Sequence, residues 1–182
     1  MKIKETKVLS LEISDVERLD PIRVMAENYE PGKGRITITC YGKAWTAAWF
    51  AMGGDTVQAF FQRVSNDYLI DNFAPNMPSE VDDDNDANVE FVKREICKLR
   101  RSGEIDQDKA REMWDEANAS HDIKEDCCSG FSSSAVRELL GDDPAYARWP
   151  TVPNHKYTHL ERILDAVREA LRMYDAQEEA KL

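Results

Sequence analysis

Residues 36–73 read ITITCYGKAWTAAWFAMGGDTVQAFFQRVSNDYLIDNF, and the hydrophobic period changes inside that stretch. Ile36, Ile38 and Cys40 alternate with Thr37, Thr39 and Tyr41, which is the period of a strand. Gly53-Gly54 then breaks the chain, and Val57, Phe60, Phe61 and Val64 recur at helical spacing. A switch of this kind predicts a small α+β domain in which a helix covers one face of a sheet.

Outward from there, more strands precede the switch. Lys7 to Ser14 reads as a first strand, with Val8, Leu9, Leu11 and Ile13 as its apolar set. Ser14-Asp15-Val16-Glu17 matches a capping box and predicts one helical turn, which Pro21 stops. Ile22, Val24 and Ala26 open a second strand to about Tyr29, and Pro31-Gly32-Lys33-Gly34 signals a turn into a third, Arg35 to Tyr41. Residues 43–52 read as a fourth strand, with Trp45, Ala47, Trp49 and Ala51 on one face. Asp55 is the expected N-cap of the helix that follows. Ser65-Asn66-Asp67 interrupts that helix, and Tyr68, Leu69 and Phe73 mark a second short one.

Residues 74–79 read as a loop and a boundary, after which the pattern is helical. Val92, Ile96 and Leu99 define a helix over 88–101 that Ser102-Gly103 ends, and Asp106 starts another with Ala110, Met113, Trp114 and Ala117 inward. Residues 120–134 read as a polar loop, 134–140 as a short helix closed by Gly141, and 141–155 as an aperiodic segment with three prolines. A capping box at Thr158-His159-Leu160-Glu161 predicts the start of a last helix, whose stripe is Leu160, Ile163, Leu164, Val167, Leu171 and Tyr174. The expected fold is therefore α+β: an antiparallel sheet of three to four strands with a helix over 1–74, then a helical region over 75–182, packed as one compact unit.

Gly34-Arg35-Ile36-Thr37-Ile38-Thr39-Cys40-Tyr41-Gly42-Lys43-Ala44-Trp45-Thr46, with Trp49, Met52-Gly53, Phe60-Phe61 and Asn66-Asp67-Tyr68-Leu69, resembles a group of accessory proteins of tailed phages and prophages. The resemblance covers roughly residues 20–73. That group often carries Cys-Asp before the Tyr-Leu pair; Asn66-Asp67 stands there in this chain, so no role for a cysteine carries over. The resemblance implies a phage-borne protein working in the cytoplasm of a bacterial host. It implies no activity and no catalytic residue.

Composition narrows the function classes. The 182 residues include 35 acids and 24 bases, for a net charge of −11. A chain this acidic does not hold nucleic acid or an anionic membrane through a broad basic face. No apolar run approaches the roughly 20 residues that span a bilayer. The cysteines Cys40, Cys97, Cys127 and Cys128 lack the spacing of a secreted disulfide framework, as expected of a reduced, cytoplasmic protein. Residues 80–126 hold 16 acids and 8 bases, so most of the excess lies in the middle quarter of the chain.

Each chemical motif has a plainer competitor. Asp84-x-Asp86-x-Asn88 with Glu95 at the twelfth position imitates a calcium loop, but Val89 stands where the turn needs glycine. His121, Cys127, His155 and His159 are candidate zinc ligands, although no Cys-x-x-Cys is present and the capping box would leave His155 before the helix. The serines 129 and 132–134 lie in no nucleophile elbow and read as capping residues. Gly53-Gly54 lacks a phosphate-loop pattern and reads as a turn. Tyr41, Trp45 and Trp49 form a candidate aromatic docking patch, if the strand face that carries them is open.

The expectation is a non-enzymatic accessory protein, without cofactor, that binds a bacterial host protein. In its sharper form this is a counter-defence (anti-CRISPR-like) DNA mimic. Asp82, Asp83, Asp84, Asp86, Asp106, Asp108, Asp115 and Glu116 would occupy the basic channel of a nuclease or immune complex. The alternatives are a small metal-dependent hydrolase using the histidines and cysteines, and a structural or regulatory module that self-associates through its last helix.

Overall fold

The computed structural model describes residues 1–3, 5–129, 135–141 and 143–181. The fold is α+β: a four-stranded antiparallel sheet followed by a mostly helical C-terminal half. The chain forms two compact units, one of Met1–Pro78 with His155–Leu182, the other of Ser79–Asn154.

In the first unit, β1 (Leu9–Ile13), β2 (Ile22–Glu30), β3 (Lys33–Cys40) and β4 (Lys43–Trp49) lie in sequence order. The period-2 pattern fixes the register: Val24 pairs with Ile38, and Ile38 with Trp45, so apolar side chains stack on one face. That face is covered by α1 (Val57–Arg63), α2 (Asn66–Phe73) and α6 (His155–Glu179). The core joins Ile22, Val24, Ile36 and Ile38 of the sheet to Phe61, Leu69, Ile163 and Leu164 of the helices.

Two turns lock together beside the sheet. Gly32 N–H donates to the Asp55 carbonyl at 3.1 Å, and Met52 N–H donates to the Gly32 carbonyl at 2.9 Å. A Cβ on Gly32 would sit 2.9 Å from the backbone nitrogen of Gly54, and Gly32 itself has φ +78°, so only glycine fits. Asn28 ties β2 to the next helix, because its Oδ1 accepts from the Val57 N–H at 2.7 Å.

Local expectations fail at three places in this unit. Residues 14–20 form no helical turn: Asp15 takes a positive φ of 62°, and Arg18, at φ 58°, sits in a turn that the Leu19 N–H closes by donating to the Val16 carbonyl at 3.2 Å. The N-cap of α1 is Thr56, not Asp55: the Thr56 hydroxyl accepts from Ala59 N–H at 3.2 Å, while Asp55 pairs with Arg63 at 2.7 Å. The last helix starts at His155, three residues before the expected capping box, and the Thr158 hydroxyl donates back to the His155 carbonyl at 3.3 Å. Its stripe is otherwise as read, with Leu160, Ile163, Leu164, Val167 and Leu171 buried and Tyr174 half-buried.

Tyr157, on the first turn of α6, donates its phenol to the Asp67 carboxylate at 2.5 Å. This bond and partial desolvation push the Tyr157 phenol up to about 12. Because the folded value lies above the usual value of about 10, the stabilisation is complete below about pH 10 and is lost as pH rises towards 12. Tyr157→Phe should cost about 1 kcal/mol at neutral pH, since Asp67 stays open to water. An alkaline absorbance titration checks the assignment: the variant should lose the ionisation near 12.

The second unit contains α3 (Asn85–Ser102), α4 (Gln107–Ala119) and α5 (Ile123–Cys128). It also has two 3-10 turns (Ala135–Leu140 and Pro144–Tyr146) and a two-stranded ribbon, β5 (Glu80–Val81) with β6 (Val152–Pro153). Its core is separate: Val92, Ile96, Met113, Ala117, Ile123, Cys127, Val136 and Trp149 pack together. Gly103, at φ +80°, closes α3 as expected.

Residues 120–134 are not wholly a loop. Asp122 caps α5, which buries Ile123 and Cys127 one turn apart. Trp114 is not inward but 37% exposed, because the buried stripe of α4 runs through Met113 and Ala117. The serines 132–134, and the expected helix start at 134, lie outside the described residues.

Candidate functional site

The second unit contains 19 acidic and 10 basic residues, a net −9 out of the chain's −11. Helix starts explain part of this. Asp84 accepts from Ala87 N–H at 2.9 Å, Asp106 from Lys109 N–H at 2.8 Å, and Asp122 from Glu125 N–H at 2.9 Å. Each carboxylate satisfies an unpaired donor and sits at the positive end of a helix dipole. The calcium-loop imitation is therefore resolved locally: Asp84 is the cap, and Asp86, Asn88 and Glu95 lie within α3.

Two more of the eight acids chosen from the sequence hold the unit together. Asp82 pairs with Lys124 at 2.6 Å, and that ammonium holds its carboxyl below the usual carboxylate range. Glu116 accepts from the backbone N–H groups of Ala135 and Val136, at 2.7 and 3.3 Å. The remaining four, Asp83, Asp86, Asp108 and Asp115, are exposed. Among the described residues none of these four makes an ion pair or a side-chain hydrogen bond. Asp86 and Asp108 lie in the first turns of α3 and α4. The set splits evenly into carboxylates with a structural partner and exposed carboxylates without one, two of which, Asp86 and Asp108, gain from the helix dipole.

The aromatic candidates do not form one open patch. Trp49 is 6% exposed and packs in the core against Phe60 and Phe73, with ring centroids 5.4 and 6.1 Å away. Trp45 is half-buried against the same cluster. Tyr41 is open at the β3–β4 turn, at φ 45°. The strand face that carries both tryptophans is the covered one.

The metal candidates are divided between the two units: His121 and Cys127 in one, His155 and His159 in the other. Among the described residues, no three His, Cys, Asp or Glu side chains are grouped to hold a metal ion. Burial pushes the Cys127 thiol up to about 12, with the negative groups around it adding to the effect, so it is a poor nucleophile at neutral pH. All four cysteines are free thiols. No helix of the described residues is long and apolar enough to cross a membrane.

The sequence reading missed a groove in this unit. Arg100 and Arg101 at the end of α3 face Arg111 and Trp114 of α4 across a hollow of about 500 Å³. Net charge concealed it, because the count says nothing about which cations lack a carboxylate.

No curated protein and no solved structure matches the chain. A family model described as a phage family matches residues 1–173, which span the sheet, the second unit and most of the last helix. This protein belongs to that phage family.

Proposed function

We propose that this phage protein acts by binding, without chemistry of its own, and that the acidic surface of its second unit docks on a basic host protein. The observation that carries the reading is the set of exposed, unpaired aspartates, Asp83, Asp86, Asp108 and Asp115, in a unit of net charge −9. A cap, an ion pair or backbone hydrogen bonds account for Asp82, Asp84, Asp106 and Glu116; none of these holds the other four, and the helix dipole favours only Asp86 and Asp108 among them. Unpaired carboxylates raise the local negative potential and attract a basic patch at long range. A host nuclease or immune complex, with a channel built for nucleic acid, has the complementary charge. Occupying that channel would serve counter-defence.

The quadruple variant Asp83→Asn/Asp86→Asn/Asp108→Asn/Asp115→Asn tests this without touching a cap. Wild-type protein used as bait at low salt should enrich nucleic-acid-binding proteins of the host. The variant should keep its circular dichroism and melt within a few degrees of wild type, since only the dipole contribution of Asp86 and Asp108 is removed, but lose most of that enrichment, as should wild type at high salt. Equal capture by the variant, or enrichment without nucleic-acid-binding proteins, would remove the reading.

A further inference from the structure

We propose that the groove between α3 and α4 binds a nucleoside phosphate, with the phosphate on Arg100, Arg101 and Arg111 and the base against Trp114. The second unit has 19 carboxylates, and its lysines use them: Lys93, Lys98, Lys109 and Lys124 each pair with an acid of the unit. The three guanidiniums of the groove do not. Among the described residues none of them makes an ion pair or a hydrogen bond, and all three are exposed. The helix dipole accounts for cations in the last turn of α3, where Arg100 and Arg101 lie. It gives no reason for Arg111, which is on α4, nor for the convergence of all three on one hollow.

The chemistry of the lining favours a phosphate ester over a carboxylate. Planar guanidiniums bind phosphate oxygens in pairs, and several together suit an anion with three free oxygens. Trp114, 37% exposed, lines the same wall; Lys93 lies over its ring, 5.2 Å from the centroid, but does not line the groove, so the base stacks on the indole from the groove side. A hollow of about 500 Å³ is the size of a small-ligand site. The other acids of the unit are screened beyond about 8 Å at physiological salt. Asp115 also lines the groove and opposes an anion there, so its removal should strengthen binding.

Cys97 lines the groove and reports its occupancy, with the exposed Cys128 as an internal reference. The full chain is alkylated with iodoacetamide in the presence of ATP, a short 5′-phosphorylated single strand, inorganic triphosphate or a polyglutamate peptide. ATP or the single strand should slow alkylation of Cys97 several-fold and leave Cys128 unchanged. Protection by ATP assigns the site to a free nucleotide; protection by the strand alone assigns it to a nucleic-acid end. Arg111→Gln should weaken protection about tenfold, Arg111→Lys less, and Asp115→Asn should tighten it. No protection by either nucleotide, equal protection by triphosphate and ATP, or protection by polyglutamate alone would overturn the proposal.

Discussion

Phe61→Ala should lower the stability of the first unit by about 3–5 kcal/mol. Phe61 is fully buried and heads the largest enclosed side chains. Its ring meets Phe73 at a centroid distance of 6.4 Å, and the Arg168 guanidinium lies 5.9 Å from its centre. Truncation removes apolar burial and leaves a cavity that strands and helices on several sides cannot collapse into. It also removes the ring beneath Arg168, whose guanidinium still donates to the Val64 carbonyl and to Asn66 Oδ1. In urea the midpoint should fall with little change in slope. Phe50, 63% exposed, provides the contrast: Phe50→Ala should change stability by no more than about 0.5 kcal/mol.

Leu164→Ala should cost about 2–5 kcal/mol. Leu164 is fully buried on α6 and belongs to the same cluster as Ile22, Ile36 and Phe61, more than a hundred residues away in the chain. The last helix is thus part of the sheet's own core. Hydrogen bonds reinforce it: Gln62 Nε2 donates to Asp175 at 2.7 Å, and Arg162 to the Glu17 carbonyl at 3.1 Å. The first is part-buried and the second exposed, and a single hydrogen bond contributes little compared with the buried leucine. If α6 packed only loosely on the sheet, Leu164→Ala would behave like Met173→Ala, which removes a side chain already 57% exposed. Urea denaturation of the two variants separates these outcomes.

The sheet was legible because a strand with one buried face must alternate, and Ile22 to Trp49 does so with little interruption. The stripe of α6 was legible for the corresponding helical reason, but its partner was not. Amphipathicity shows that a face is buried and says nothing about which surface covers it. Its start was misread because Thr158-x-x-Glu161 satisfies the capping pattern inside a helix already formed. The six residues of α5 were missed because so short a helix presents only Ile123 and Cys127 as apolar periodic positions.

The acidic site was half legible. Charge counting located the excess of carboxylates in the second unit, but it could not separate Asp84 and Asp106, which close helix ends, from Asp86 and Asp108 two residues later, which do not. That distinction depends on backbone geometry at each helix start. The arginine groove was invisible for a related reason. Arg100 and Arg111 come together only when α3 and α4 pack, and their lack of partners is a property of the fold.

On the proposed reading, the second unit competes with nucleic acid for a basic host surface. The direct measurement takes a host nuclease captured by the wild-type protein, loads it with a fluorescent DNA duplex, and follows anisotropy as the phage protein is added. Release of the duplex, weakened by salt and absent with the quadruple asparagine variant, is the expected result. A stable ternary complex that retains the duplex would rule out competition for the nucleic-acid channel.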